Sequence, residues 1–82
     1  MSTEGTTLSF TLASGEKAAI TVLDLRGRQV RRLWTGIGTG EAQVASWDGR
    51  SDQGYIAPAG VYFARVEGEA GRSSEQKLII TH

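Results

Sequence analysis

Apolar side chains recur at every second position through much of this chain, in short bursts. Leu8, Phe10 and Leu12 alternate with Ser9 and Thr11, the period of two expected of a strand with one buried face. This pattern predicts a strand over residues 7–13. A second burst over 17–25 sets Ile20 and Val22 on one face and Thr21 and Leu23 on the other. Further strands are predicted over 28–34, 41–47, 60–67 and 74–81. A short extended segment over 53–57 makes the seventh, and the pattern does not say which sheet it joins. No stretch sustains apolar residues at i, i+3, i+4 and i+7, so no amphipathic helix is expected.

The breaks between bursts carry turn chemistry. Eleven glycines and one proline punctuate the chain. Arg26–Gly27 reads as a tight hairpin turn, with Gly27 supplying the positive φ. Residues 35–40, with Gly36, Gly38 and Gly40, read as a loop, and 48–54 as a turn containing Gly49. Pro58 has no amide hydrogen and belongs at an edge or corner. Gly60 then opens the strand that carries Tyr62.

Seven short strands with turns every 8–12 residues predict a single all-β domain over 1–82, with 1–6 as a flexible start. The expected architecture is a seven-stranded immunoglobulin/fibronectin-III-like antiparallel β-sandwich. Phe10, Ile20, Val22, Leu33, Trp47 and Tyr62 are its candidate core. Tyr62 sits where such folds place a tyrosine corner, its hydroxyl bonded back to the preceding backbone. Tyr62, Ala64 and Val66 are expected to face inward; Val61, Phe63 and Arg65 are expected to face outward or toward a neighbouring element.

Four runs in series resemble one family. They are Ile20 to Leu33 (ITVLDLRGRQVRRL), Trp47 to Gly54 (WDGRSDQG), Ala59 to Val66 (AGVYFARV) and Lys77 to Ile80 (KLII). They are similar to the immunoglobulin-like domain of bacterial flagellar hook-capping proteins and to the C-terminal β-sandwich modules of secreted bacterial proteins, type IX sorting tails among them. The resemblance runs from about Leu8 to Ile80. It departs from the pattern at Val44 and Ala45, where the family is more regularly β-branched, and at Trp34, where an aliphatic residue is usual. It implies a module of a larger exported protein, in the cell envelope or outside the cell, that ends a chain, spaces domains, docks on a partner or serves as an export tail.

Composition narrows the chemistry. There is no cysteine among the 82 residues, which excludes disulfides, zinc thiolates and cysteine nucleophiles. Nine Lys and Arg balance nine Asp and Glu, so no net field steers the chain to nucleic acid or anionic membrane. No apolar run is long enough to span a bilayer. Met1–Thr7 is polar and reads as no signal peptide; the start is consistent with a domain cut from a longer chain.

The reactive groups are few. The single histidine, His82, is the last residue, a poor place for a triad base. Asp48 and Asp52 flank one turn, where aspartates cap their own backbone. They are also the calcium candidates, but Arg50 stands third and glycine seventh, where a calcium loop wants an oxygen donor third and glycine sixth. Arg26, Arg28, Arg31 and Arg32 crowd one hairpin and suit a solvated face or an acidic partner. Trp34, Tyr55 and Phe63 could form a sugar platform, although Trp34 also suits packing at the end of the sandwich. The glycines of 36–40 lack the Lys-Ser/Thr pair and helix of a phosphate loop. Leu78, Ile79 and Ile80 form the last strand and, if its edge is open, a place for a partner strand; Lys77 beside them discourages that pairing. No cofactor is expected, and a small-molecule ligand is not favoured.

The function this predicts is a non-catalytic accessory module with a protein partner or parent-chain domains. The alternatives are a flagellar hook-cap scaffold and a carbohydrate- or calcium-binding module.

Overall fold

The computed structural model describes residues 6–69, 71 and 73–80. These contain no helix and form six strands: β1 (Thr6–Thr11), β2 (Lys17–Leu23), β3 (Gln29–Ile37), β4 (Ala42–Trp47), β5 (Gly60–Gly68) and β6 (Ser73–Ile80). They make two antiparallel sheets. One pairs β1 with β4, and the other has the order β3-β2-β5-β6. His82 and Thr81 lie outside the described residues.

Alternation decides which side chains meet. Leu8 and Phe10 of β1, Leu12 just beyond it, and Ala45 and Trp47 of β4 point to the same interior as Ile20, Val22, Tyr62, Ala64, Leu78 and Ile80 of the larger sheet. Together with Ala57 they form one buried cluster, the main favourable term for a chain of this size. Trp47, Ile20 and Val22 are its largest fully buried members.

The strand count is one fewer than the sequence predicts. Residues 53–57 form no strand; only a single bridge joins Arg50 to Ile56. The backbone there is committed to turns: Gly54 N–H donates to Ser51 O at 2.9 Å, Ser51 N–H to Tyr55 O at 2.7 Å and Ala57 N–H to Gly49 O at 2.8 Å. The predicted loop at 35–40 is also shorter than expected, because β3 continues through Thr35, Gly36 and Ile37 opposite Ala19, Ala18 and Lys17. Gly36 serves packing and not turning. A Cβ there would lie 2.7 Å from Cζ2 of Trp34, whose indole covers it.

Two register shifts in β2–β3 reposition candidate core residues. Pairing passes from Ile20↔Trp34 to Thr21↔Arg32, and from Val22↔Arg31 to Leu23↔Gln29. Leu33 and Val30 are the extra residues of these bulges. Leu33, expected in the core, instead packs half-buried on its margin, as do Val30 and Trp34. The hairpin turn spans Asp24–Gly27, closed by Gly27 N–H to Asp24 O at 2.9 Å. Leu25 and Arg26 are its central residues, and Gly27, at φ 81°, takes the left-handed position that follows such a turn.

Candidate functional site

The sequence-predicted polar residues gather at one end of the molecule, where the β2–β3 turn meets the segment 48–58. Asp24 organises the turn. Its Oδ1 accepts the N–H groups of Arg26 and Arg28, both at 2.9 Å, and its Oδ2 accepts Arg28 Nε at 3.3 Å. The backbone bond from Arg28, above all, holds the Asp24 carboxyl below its ordinary pKa, because donors favour the charged form.

Asp48 and Asp52 do not converge. Asp48 Oδ1 accepts Arg50 N–H at 3.0 Å and lies 3.9 Å from the Arg31 guanidinium. Asp52 reaches the other way, to the free edge of β3. Its own N–H donates to Val30 O at 2.9 Å, and its Oδ1 accepts Arg32 N–H at 3.0 Å. Its Oδ2 accepts Gln29 Nε2 at 2.8 Å. The Gln29 bond, followed by the Arg32 amide, lowers the Asp52 pKa. Among the described residues no three His, Cys, Asp or Glu side chains gather in a metal-binding group.

Two aromatic residues pin this end to the core. Tyr62 Oη donates to Pro58 O at 2.6 Å, the corner bond expected of it, and Trp47 Nε1 donates to Arg50 O at 2.9 Å. Burial, and secondarily the Asp24 charge, raises the Tyr62 pKa. Between turn and loop lies an open cleft of about 420 Å³ lined by Arg28, Gln29, Val30, Tyr55, Ile56 and Tyr62, among others. Tyr55 is 74% exposed at its rim.

The four arginines do not act as one cluster: Arg26 and Arg28 share a groove with Asp24, and Arg31 and Arg32 have other partners. Arg28 serves Asp24, and Arg31 is half-buried with Nη1 3.4 Å from Ser51 O. Arg32 pairs with Thr21 across the sheet, and Arg26 is a central residue of the turn, its N–H donated to Asp24 Oδ1. The three aromatic candidates for a sugar platform are separated. Trp34 packs edge-on against Phe10, centroids 4.9 Å apart; Phe63 is half-buried on the outward side of β5, and Tyr55 stands on the loop. Of the last strand, Leu78 and Ile80 are buried and Ile79 is exposed.

Sequence reasoning missed the role of Asp52 on the edge of β3. Its partners lie twenty or more residues away, so no local pattern shows it. It also missed the alignment of Leu25, Val61 and Ile79, which depends on sheet order. Comparison of the chain with protein-family models, curated proteins and solved structures finds no match.

Proposed function

We propose that this chain is a non-catalytic accessory module, an immunoglobulin-like β-sandwich serving a larger exported bacterial protein as a sorting, spacer or docking domain. The Tyr62–Pro58 corner bond and the single core shared by two antiparallel sheets support the architecture. The observation that carries the function is the division of labour among side chains. The carboxylates of Asp24, Asp48 and Asp52 all accept backbone amides, while Leu25, Tyr55, Ile56 and Ile79 stand in solvent. Polar groups hold the fold and apolar groups are left for contact.

The test is a fusion. The 82-residue chain is placed at the C-terminus of a leader-bearing reporter in a bacterium with type IX secretion. Reporter at the cell surface is the expected result; reporter retained in the periplasm overturns the sorting role. A second reading, a carbohydrate-binding module, draws on the exposed Tyr55 beside the 420 Å³ cleft. Calorimetric titration with common glycans tests it, and a flat trace removes it.

A further inference from the structure

The side of the four-stranded sheet turned away from the core is apolar at one end, where a solvated antiparallel face is ordinarily polar. Leu23, itself buried, pairs with Phe63 and Phe63 with Lys77; one row further, Val61 pairs with Ile79. Beyond the end of β2, Leu25 shares with Val61 the wall of a groove of about 220 Å³. Leu25 and Ile79 are 70% and 61% exposed, and Val61 and Phe63 are half-buried. The strip crosses three strands, roughly 10 Å at the usual strand spacing.

Asp24 and Arg28 also line this groove but pair with each other, and the rim holds two further cations. Arg26 lies at the Leu25 end, lining the same groove, and Lys77 stands beside Phe63. Among the described residues the ion pairs are Arg28–Asp24, Arg31–Asp48 and Arg65–Glu75, and none uses Arg26 or Lys77. Of the carboxylates on this face, Glu75 is held by Arg65 at 2.7 Å, and Glu67 stands at the far end of β5, opposite Ala19. The four accessible apolar side chains, Leu25, Val61, Phe63 and Ile79, cover at most a few hundred Å², whereas a stable dimer buries roughly 800 Å² on each partner. The strip is the size of a peptide footprint, and its unmatched charges call for carboxylates.

Resting on the docking reading above, we propose that this face binds a short acidic segment of a partner protein, with two or three apolar anchors set among carboxylates. One anchor enters the groove between Leu25 and Val61, another lies on Phe63 and Ile79, and the flanking acids meet Arg26 and Lys77.

The probe is a nine-residue acetylated peptide with two leucines and one phenylalanine among aspartates and glutamates, titrated into the isotope-labelled 82-residue chain and followed by amide chemical shifts. A counterpart with lysine at every acidic position is the control. Saturable shifts centred on Val61, Phe63, Lys77 and Ile79 are expected with the acidic peptide alone. Ile79→Ser, at an exposed position, should weaken binding at least about tenfold without moving the melting temperature, and Arg26→Glu with Lys77→Glu should do the same. No saturable shift, equal binding of the basic peptide, or shifts that survive Ile79→Ser would overturn the proposal. So would a concentration-dependent dimer in sedimentation that Ile79→Ser abolishes, which assigns the face to a second copy. Peptide binding with the reporter retained sinks the sorting role alone; reporter export with a flat titration sinks this face alone.

Discussion

Tyr62 and Trp47 meet edge to face with ring centroids 5.4 Å apart, and each donates its one polar hydrogen to the segment 48–58. A buried aromatic residue with a satisfied polar tip joins core packing to loop position. Trp47→Ala or Tyr62→Ala should therefore cost about 3–5 kcal/mol in urea unfolding. Tyr62→Phe, which leaves the ring and strands the Pro58 carbonyl, should cost about 1–2 kcal/mol. A midpoint unmoved by Tyr62→Phe would show that the corner bond contributes nothing. Trp34 and Gly36 make a second pair. Gly36→Ala pushes a methyl into the Trp34 ring and should destabilise by about 1–3 kcal/mol. Trp34→Ala removes the clash, so the double variant should lose less than the sum of the singles; strict additivity would contradict the contact. Tyr62 and Trp47 were legible in the sequence because turn residues flank them. The Trp34–Gly36 contact was not, because a glycine that makes room for a ring reads the same as a glycine that turns the chain.

Among the elements, β3 is one of the two edge strands of the larger sheet, and Asp52 supplies the partner it lacks. One N–H, one carboxylate oxygen and the adjacent Gln29 contact take the place of a short strand, which blunts an edge otherwise open to pairing. Asp52→Ala should raise hydrogen exchange at the Arg32 amide while leaving β5–β6 amides protected; unchanged Arg32 exchange would refute the cap. The acid response follows from the same bonds. Asp24 and Asp52 have folded pKa values below the ordinary 3.8, so the unfolded chain takes up protons first as pH falls. Their contribution is present above about pH 4 and is lost as pH drops through the lower folded values. The urea midpoint should fall over that range, and Asp52→Asn should flatten the fall. The sequence pattern located all six strands, yet it placed a seventh at 53–57 and put Leu33 in the core. Strand alternation is local, whereas bulges and turn hydrogen bonds answer to partners far along the chain.

At the scale of the molecule, strands distant in sequence are joined. β1 pairs with β4 across the whole β2–β3 hairpin, and β2 pairs with β5. Such topology delays folding, since loop closure precedes the contacts that reward it. Refolding in stopped-flow mixing should fall in the millisecond-to-second range typical of all-β domains; a microsecond phase carrying the full amplitude would be inconsistent with these pairings. The all-β class was legible from period-two alternation and the absence of helical spacing. Sheet membership was not, because the same alternation permits several strand orders.

The two sheets differ in width, two strands against four. On β6 the consequence is a boundary within one face. Ser74, Gln76, Leu78 and Ile80 alternate onto the same side, opposite Val66, Ala64, Tyr62 and Gly60, but only Leu78 and Ile80 are buried, while Ser74 and Gln76 remain wet. A charge at Ser74 or Gln76 should be tolerated, while the same charge at Ile80, a few residues along, should unfold the chain. Mutational tolerance along this strand thus follows burial and not the direction in which a side chain points.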